Sequence, residues 1–304
     1  MITGQIGIFA LGDSAHGFFE FSLLPGADAQ AFASAIEAVK EPRSTTGGVN
    51  RVIGFRPSLW ERLAPDDVPA NVNDFDREIH GPDDYVMPAT QADAWIWFAA
   101  ASYDIVFDLG QEAVTCAAPF ATLVRETTGW SYRHNRDLTG FEDGTKNPTL
   151  DAAPEIVLIE EDKPGAGGSV LLFQLWRHEP TWKALAQPVQ ERIIGRTKPD
   201  SVELDPAKMP ADSHVSRTTV KTDAGELKIF RRNVPYGDVA EHGTVFIGFS
   251  AKQMPLQRML EQMAGIGGPR DALTHFTTPL TGAYYFIPSI QSLRRFTPPE
   301  DDDD

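Results

Sequence analysis

The amino-acid sequence predicts an α+β protein of two similar halves, each an antiparallel sheet with peripheral helices. Three observations favour this class. Short apolar runs with strand alternation are interspersed with runs at helical spacing, turn residues separate them, and the same style of pattern occurs on both sides of residues 132–139. A chain of 304 residues with 41% hydrophobic side chains is long enough for two such cores. We therefore divide the chain into residues 1–134 and 135–304.

The first half predicts the element order β-β-α-β-β-α-β, with one additional short helix. A period of two residues predicts strands, and a period near 3.6 predicts helices. The predicted elements are strands at 5–10 and 16–23, a helix at 27–41 ended by Pro42, a strand at 49–55, a short helix at 58–63, a strand at 93–100, a helix at 103–118 and a strand at 122–131. The polar segment 64–90, rich in proline and aspartate, predicts a long surface loop.

The second half shows the same kind of alternating strand and helix patterns as the first, but its residues differ. The predicted elements are strands at 155–159 and 169–177, a helix at 181–194, a hairpin of 215–221 and 226–233 turning at Asp223-Ala224-Gly225, a strand at 244–249, a helix at 254–263 and a strand at 283–287. The last five residues, 300–304, are all acidic. We expect this tail to be solvated, and we assign it no role.

The charge of the chain excludes several classes of partner. The formal net charge is −16 at pH 7, whereas a protein that binds a polyanion needs a basic surface. We therefore expect neither nucleic acid nor a membrane as a partner. The N-terminus lacks a basic region followed by a long apolar run, and no apolar stretch approaches about 18 residues. These features predict a cytoplasmic protein.

The cysteine content limits how a cofactor can be held. Cys116 is the only cysteine, so the chain cannot form an internal disulfide, a CxxC metal site or a CxxCH haem attachment. Any cofactor must therefore be bound without thioether links.

A glycine-rich loop carries the first candidate side chain. Residues 140–148 (GFEDGTKNP) place Asp143 between two glycines and ahead of Pro148. Two glycines and a proline within nine residues predict a loop rather than a helix or strand. The carboxylate of Asp143 either stabilises the turn or faces a ligand, and the loop alone does not decide between these roles.

The histidines favour single-residue roles over a multi-histidine metal site. None of the seven is paired with another at i, i+4 or another standard ligand spacing. His214 follows a polar loop and precedes the predicted strand at 215–221, so its imidazole can face a cavity. A surface histidine at a strand end remains the alternative.

Strand alternation separates two neighbouring arginines. In the predicted strand at 226–233, Arg231 lies on the same face as Leu227 and Ile229, whereas Arg232 lies on the opposite face. A guanidinium that continues an apolar face requires an anion, which is either a ligand or the carboxylate of a structural ion pair. We expect Arg232 to be solvated.

Together these segments resemble the dye-decolourising peroxidases, and most closely the compact bacterial B-type branch. The loop GFEDGTKNP resembles the family's GxxDG signature. Five further segments match in order, and they are NRDL at 135–138, GRTK at 195–198, SHV at 213–215, IFRRNVPYG at 229–237 and TGAYYFIPS at 281–289. All of them lie in the second half, and the first half matches only in general style.

The resemblance implies the fold and the site. It implies two ferredoxin-like domains, with non-covalent haem b held mainly by the C-terminal one. His214 then matches the proximal iron ligand. Asp143, Arg231 and Asn233 match the distal catalytic residues, and Gly144 and Thr145 would contact the cofactor beside Arg231.

The resemblance also implies the activity. Such an enzyme uses H2O2 to oxidise organic donors, such as dyes and phenolics, by one-electron steps through a ferryl intermediate, and Mn²⁺ is a further candidate donor. The acidic surface favours cationic or neutral donors. Two alternatives stay open. One is a haem carriage or iron-release protein, and the other is a ferredoxin-like oligomer that binds a different apolar ligand, with Asp143 and Arg231 as a structural ion pair.

Three further expectations concern the surroundings of the haem and the assembly. His275 stands where similar proteins often have the acid that accepts the proximal N–H, which predicts a weaker donor to iron and a higher reduction potential. Trp176, Trp182 and Tyr236 are candidate routes for electrons from bulky donors, although core packing is the simpler role. We expect a homo-oligomer, a dimer or larger, and the C-terminal tail does not resemble a signal for packaging in a nanocompartment.

Overall fold

The computed structural model describes residues 3–39, 48–133, 135–223 and 225–297. Within these ranges the strands are β1 (Ala15–Leu23), β2 (Val49–Phe55), β3 (Ile79–His80), β4 (Val86–Met87), β5 (Ala94–Ala100), β6 (Ala121–Trp130), β7 (Ser169–His178), β8 (Val220–Thr222), β9 (Gly225–Leu227), β10 (Phe230–Arg231), β11 (Val234–Gly237), β12 (His242–Ser250), β13 (Thr277–Pro279) and β14 (Ala283–Ile287). The α-helices are α1 (Ala29–Glu37), α2 (Pro57–Leu63), α3 (Tyr103–Ala117), α4 (Ala153–Val157), α5 (Gln187–Ile194), α6 (His214–Thr218), α7 (Gln253–Met263) and α8 (Ile290–Leu293). In the described ranges, every helix is too short or too polar to cross a bilayer.

Both halves contribute to one large antiparallel sheet. Its order is β10-β12-β11-β6-β1-β5-β2-β14-β7-β13, and an additional pairing of β12 with β7 closes the sheet on itself. The first half supplies the neighbours β6-β1-β5-β2, and the second supplies β14-β7-β12-β11. When the four strands of each set are numbered by their position along the chain, their order in the sheet is fourth, first, third, second in both halves. The halves meet at the pairs Phe286 with Phe55 and Tyr236 with Gly129.

Three apolar cores follow from the alternation of side chains along the strands. On β5, Ile96 and Phe98 face a core covered by α1, α2 and α3, whereas Trp95 and Trp97 face the space enclosed by the closed sheet. The third core lies between α7 and the outer face of β7, where Leu172 packs. This outer face of the second half is the one that carries the candidate site.

Two predicted strands are wrong. Residues 5–10 contain a 3₁₀ turn at Ile6–Ile8, because the side-chain amide of Gln5 makes both hydrogen bonds to the backbone of Ile53 (2.8 Å each) that a strand would have made. Residues 155–159 lie largely in α4, where Pro154 occupies the first turn. Proline suits that position because its fixed φ favours a helix start, where its missing N–H has no partner to lose.

The predicted hairpin at 215–233 is also wrong in most of its length. Ser213 caps the N-terminus of α6, with its side chain accepting a hydrogen bond from the backbone N–H of Ser216 (3.3 Å), so residues 214–218 are helical. The hairpin is reduced to β8 and β9, and Arg231 belongs to β10, which pairs with β12.

Other predicted elements are confirmed, some with unchanged bounds and others with bounds shifted by one or two residues. The strands at 49–55, 93–100, 169–177, 244–249 and 283–287 correspond to β2, β5, β7, β12 and β14, and the helices at 103–118 and 254–263 correspond to α3 and α7. The helix at 181–194 divides into a 3₁₀ turn at Pro180–Ala184 and α5. The end of the helix predicted at 27–41 and the acidic tail lie outside the described residues.

Candidate active site

A cavity lies on the outer face of the second half, between its sheet, α6, α7 and the glycine-rich loop. It consists of two adjoining lobes of about 110 and 90 Å³. The residues that line both lobes are Asp137, Thr139, Asp143, His214, Thr218, Arg231, Met259 and Leu273. Three residues singled out from the sequence, Asp143, His214 and Arg231, therefore share one cavity.

The remaining predicted residues divide between the two lobes. Thr145 lines one lobe and Asn233 the other. Gly144 is absent from the linings of both lobes, and its role is conformational. Its φ is +74°, and a Cβ there would lie 3.1 Å from the side chain of Asn147. The loop therefore requires glycine at this position for its backbone.

His214 is the first residue of α6, and its imidazole is held by a buried acid. Its Nδ1 lies 2.7 Å from Oδ2 of Asp271, whose side chain has no exposed surface. A carboxylate beside Nδ1 fixes the ring orientation and leaves Nε2 as the ring nitrogen that could act as a ligand in the cavity.

The expectation that His214 lacks an acidic partner is wrong. His275 lies at the end of the 3₁₀ turn Ala272–His275, and Asp271 lies just before that turn. The other carboxylate oxygen of Asp271, Oδ1, accepts a hydrogen bond from the backbone N–H of Leu273 (2.9 Å). The same acid thus caps the turn and orients the imidazole, so the prediction of a raised reduction potential that rested on His275 is withdrawn.

The glycine-rich loop is fixed by a tight hairpin and by the side chain of Asn147. The backbone N–H of Asp143 donates to the carbonyl of Asn135 (2.9 Å), and Arg136 bridges to Glu142 in antiparallel fashion. The amide of Asn147 accepts from the backbone N–H of Arg231 (2.9 Å) and donates to its carbonyl (2.7 Å). A single side chain therefore holds the loop against β10.

Asp143 and Arg231 face each other across the cavity wall. Nη2 of Arg231 lies 4.0 Å from Oδ1 of Asp143, and the two side chains are 19% and 21% exposed. This long separation leaves room for a small polar molecule that contacts both groups. Oδ1 of Asn233 accepts a hydrogen bond from the backbone N–H of Ile247 (3.0 Å), which fixes its amide at the edge of the same lobe.

Arg232 does not follow the expectation of a solvated side chain. Its guanidinium donates to the carbonyl of Ile8 (2.8 Å) and lies 5.1 Å from the ring centroid of Trp97. Burial lowers its pKa to about 10. The two arginines do face opposite ways, as alternation predicts. The side away from the cavity, however, borders the enclosed core rather than solvent.

A second acid of the cavity, Asp137, was not among the residues predicted from the sequence. Its Oδ1 accepts hydrogen bonds from the backbone N–H and the hydroxyl of Thr139, and the carboxylate lies near Asp143. Burial raises the pKa of Asp137 to about 6, with the negative charge of Asp143 adding to that shift. The sequence did contain an indication of this acid. Asp137 lies in the segment NRDL directly before the loop, two residues ahead of Thr139, and aspartates at such positions accept hydrogen bonds within turns.

Aromatic and polar side chains of the strands complete the wall. Trp176 lines the cavity, with its indole N–H donating to Oε1 of Gln174 (3.2 Å). His178 also lines it, with Nε2 lying 3.0 Å from the hydroxyl of Thr244, and burial lowers its pKa to about 4. Burial thus keeps the imidazole of His178 neutral, and the only hydrogen bond that its ring makes in the described chain is to a hydroxyl.

The three aromatic residues considered as electron routes occupy different places. Trp176 is part of the cavity wall. Trp182 is 3% exposed and packs against Phe141 and Phe276 beneath the glycine-rich loop. Tyr236 is 9% exposed and belongs to the core enclosed by the sheet.

Comparison with known proteins identifies the family of the chain. The N-terminal and C-terminal family models of the Dyp-type peroxidases match residues 20–131 and 134–292. A dye-decolorizing peroxidase of Mycolicibacterium paratuberculosis is 36% identical over 276 residues, which make up 84% of this chain and 77% of the relative.

Solved structures give the same result. DypB from Rhodococcus jostii RHA1 superposes with a TM-score of 0.88 at 33% identity, over 96% of this chain and 97% of that one. Variants of DypB have been solved in complex with heme. The encapsulated DyP-type peroxidase of Mycobacterium smegmatis has a TM-score of 0.88 at 32% identity, over 98% and 99% of the two chains. The chain described here therefore belongs to the Dyp-type peroxidase family and is a haem-dependent peroxidase.

Proposed function

We propose that the cavity binds haem b without covalent links, with Nε2 of His214 as the iron ligand. The observation that carries this proposal is the 2.7 Å contact between Nδ1 of His214 and Asp271. A histidine that donates its second N–H to a carboxylate is a typical metal-ligating arrangement. Met259 and Leu273 supply apolar contacts for a porphyrin. The lobes are small for such a ligand, so binding must move lining side chains outward.

When bound, haem iron would reduce H2O2 and become oxidised. Organic donors would then return it to its starting state by giving up one electron at a time. The surrounding residues set the proton and charge movements. The carboxylate of Asp143 accepts a proton from one peroxide oxygen and delivers it to the other, directly or through one water. The guanidinium of Arg231 stabilises the negative charge that develops on the departing oxygen. The amide of Asn233 orients the peroxide or a water.

Asp137 also lines the cavity, close to Asp143. Burial raises its pKa to about 6, so Asp137 is mostly protonated only below about that pH, where the cavity holds one negative charge fewer.

Organic molecules are the proposed donors, ranked above Mn²⁺. One DypB variant has been solved in complex with manganese. In this chain Nζ of Lys146 lies 3.0 Å from Glu203 and 3.7 Å from Glu226 at the side of the cavity, and Arg196 lies 2.7 Å from Glu203. These two carboxylates are therefore already paired with cationic side chains. In the described ranges no group of three His, Cys, Asp or Glu side chains is placed to hold a metal ion.

We also propose how the chain is divided into domains and how it assembles. We infer two ferredoxin-like domains, residues 1–134 and 135–304, with haem in the second. Support comes from the identical strand order of the two halves and from the helices that lie between their strands. We also propose a cytoplasmic homo-oligomer, since a relative of similar fold is an encapsulated enzyme. Neither nucleic acid nor a membrane is a proposed partner.

A haem-carriage function is the second candidate, and no contact in the cavity favours it. The two functions differ in their response to peroxide. After loading with haem, stopped-flow mixing with H2O2 should change the Soret band rapidly, and the change should be slow in Arg231→Leu and Asp143→Asn. A carriage protein would show a haem spectrum but equal and slow responses in all three proteins.

A further inference from the structure

The acid behind His214 is held by a network of contacts that begins in the first half of the chain. Asp271 lies just before the 3₁₀ turn Ala272–His275, and its Oδ2 lies 2.7 Å from Nδ1 of His214. A carboxylate orients an imidazole only as well as the carboxylate itself is held. The groups that fix Asp271 therefore bear on the imidazole as well.

Thr274 and the end of α7 hold the backbone of Asp271. The backbone N–H and the hydroxyl of Thr274 both donate to the carbonyl of Asp271, at 3.0 and 2.7 Å. The backbone N–H of Asp271 donates to the carbonyl of Met263 (3.1 Å). Thr274 is 4% exposed, so these bonds form in a region where water does not compete for them. Both polar groups of the main chain of Asp271 are thus fixed.

Arg270 holds Thr274 in turn. Its Nε donates to the hydroxyl oxygen of Thr274 (2.6 Å), and its Nη2 donates to the carbonyl of the same residue (2.7 Å). A planar guanidinium holds two acceptors in one fixed geometry, whereas a lysine ammonium on its flexible stem does not. The hydroxyl of Thr274 therefore accepts from Arg270 and donates to Asp271, and the guanidinium sets its direction.

Tyr85, from the first half, packs against Arg270. The guanidinium carbon lies 3.9 Å from the ring centroid of Tyr85, which is 8% exposed. An aromatic face attracts a guanidinium, and the attraction is stronger where both are removed from water. Burial raises the pKa of the Tyr85 hydroxyl, and the charge of Arg270 opposes that shift while the charge of Asp271 adds to it. The ring therefore lies close to both residues.

The turn that carries Tyr85 packs closely against the end of α7. It joins β3 to β4, and the backbone N–H of Gly81 donates to the carbonyl of Tyr85 (2.8 Å). A Cβ on Gly81 would lie 2.0 Å from the carbonyl oxygen of Ala264, directly after α7. Glycine is therefore required at this position for the turn to approach the helix. The first half thus places Tyr85 beside the segment that leads to Asp271.

We propose that Tyr85 and Arg270 form a clamp that fixes the acid behind the iron ligand, which makes Arg270 a positioning residue for the peroxidase reaction. The proposal rests on the function proposed above, in which His214 binds haem iron. The contacts run from Tyr85 through Arg270 and Thr274 to Asp271 and His214. The first half thereby influences the haem, although every described residue that lines the two lobes of the cavity comes from the second half.

The Fe(III)/Fe(II) potential of the haem-loaded protein is the first test. Arg270→Gln should raise the potential, because a loosened Asp271 holds the N–H of His214 less well and the imidazole donates less to iron. The rise should be smaller than in Asp271→Ala, which removes the carboxylate. The rate constant for the reaction with H2O2 should fall by about tenfold, the lower end of the cost of losing a residue that supports a metal ligand. An unchanged potential in Arg270→Gln would overturn the clamp.

Arg270→Lys distinguishes geometry from charge. Lysine keeps the positive charge but lacks the planar fork, so the potential should rise as it does in Arg270→Gln. If only the charge of Arg270 mattered, neutralising it would favour the oxidised iron and lower the potential, and Arg270→Lys would have no effect. That pattern would contradict the proposed role.

A double-variant cycle tests whether Arg270 acts through Asp271. In the Asp271→Ala background no carboxylate remains to be positioned, so adding Arg270→Gln should have no further effect on the potential. Equal shifts in the two backgrounds would show that Arg270 reaches the iron by another route, and the clamp would be wrong.

Two further substitutions interrupt the network at other points. Thr274→Val keeps the shape of the side chain but removes its hydroxyl, and Tyr85→Leu removes the aromatic face. Both should raise the potential, whereas Tyr85→Phe, which keeps the ring against the guanidinium, should leave it unchanged. Even if Arg270→Gln did not fold, an unchanged potential in Thr274→Val would refute the proposed chain of contacts.

Arg295→Gln is the matched control. The guanidinium carbon of Arg295 lies 5.9 Å from the ring centroid of Trp60, in the core covered by α1, α2 and α3. This variant removes the same charge and the same kind of aromatic contact away from Asp271. Its potential should equal that of the wild type, because remote exposed charges are screened at physiological salt. A rise as large as in Arg270→Gln would mean that the shift is not specific to the clamp.

The clamp and the proposed function fail in distinguishable ways. If His214→Gln keeps a normal haem spectrum, the proposed iron ligand itself is wrong. If His214→Gln loses haem and Asp271→Ala raises the potential, but Arg270→Gln and Thr274→Val do not, only the clamp is wrong.

Discussion

The two halves of this molecule share one strand order but differ in what covers their outer sheet faces. In the first half, α1, α2 and α3 pack on side chains such as Phe19 and Phe98 and leave a filled core. In the second half, α7 covers only part of the face, and the short α6 stands beside it. The uncovered strand positions include polar side chains such as Gln174 and Thr244. The shared sheet is therefore the scaffold, and the incomplete helical cover leaves the cavity that we propose as the active site.

The largest expected effect distinguishes histidines of the two halves. His214→Gln should abolish stable haem binding and lower peroxidase activity by more than about 100-fold, since even a residue that only supports a metal ligand is worth 10–100-fold. His16→Gln, at a buried histidine of β1 that contacts Trp97, should leave the haem spectrum unchanged. Absorption spectra and steady-state rates measure both. A normal haem spectrum in His214→Gln would break the contrast between the halves.

The second effect distinguishes two adjacent arginines that face different regions. Arg231→Leu should slow the reaction with H2O2 by about 10²- to 10⁴-fold, the range for a positioned acid–base or charge-stabilising group. Arg232→Leu should leave that rate nearly unchanged and lower stability, because Arg232 contacts the carbonyl of Ile8 in the enclosed core. Stopped-flow kinetics and thermal unfolding separate the two outcomes. Similar kinetics in the two variants would contradict the assigned faces.

The third effect tests the acid behind the imidazole. Asp271→Asn keeps the cap on Leu273 but removes the negative charge at Nδ1 of His214. We expect activity to fall by about 10- to 100-fold and the Fe(III)/Fe(II) potential to rise, because the imidazole donates less electron density to iron. Spectroelectrochemical titration checks the potential. As a control, His275→Gln should leave the Fe(III)/Fe(II) potential unchanged. A shift of the potential in that variant would show that His275, and not only Asp271, influences the iron ligand.

The smallest effect is the change of stability with pH. Its sign should differ between a buried acid of the second half, Asp137, and a buried histidine of the first half. Burial raises the pKa of Asp137 to about 6, so the folded state retains this proton as pH rises, and stability is lost between about pH 4 and 6. Asp137→Asn should raise the unfolding free energy by about 3 kcal/mol at pH 7 and by little at pH 4. Chemical denaturation of the haem-free protein at the two values measures this.

His16 provides the opposite case in the first half. Burial lowers its pKa to about 4, so stability from the neutral imidazole is present at pH 7 and is lost as pH falls below about 6.5. His16→Gln should therefore be relatively more stable at pH 4 than at pH 7. If both variants show the same pH trend, burial does not control these two groups as described.

Local patterns predicted much of the second half and of its site. Alternation placed Arg231 on the face with Leu227 and Ile229, and all three line the cavity. The glycine and proline content predicted the loop that carries Asp143. The loop was predictable because its own glycines and proline determine its backbone. The agreement for Arg231 does not come from a continuous strand, since residues 226–233 are divided between β9 and β10.

The missed features depend on contacts between distant segments. The carbonyls of Gly7 and Ile8 bury Arg232, and nothing near Arg232 in the sequence indicates them. Asp271 rather than His275 meets His214, because the intervening 3₁₀ turn carries the later residue away. A capping serine made residues 214–218 helical where apolar spacing predicted a strand. Such choices are made by tertiary contacts and by single caps rather than by periodicity.

The central claim is that one cavity of the second half holds haem between His214 and the couple formed by Asp143 and Arg231. The most direct test is a crystal structure of the haem-loaded protein, with the iron located by its anomalous signal. We expect iron bonded to Nε2 of His214, with the side chains of Asp143 and Arg231 on the opposite face of the porphyrin. Iron bonded to His178, the other imidazole that lines the cavity, or haem bound outside this cavity would contradict it.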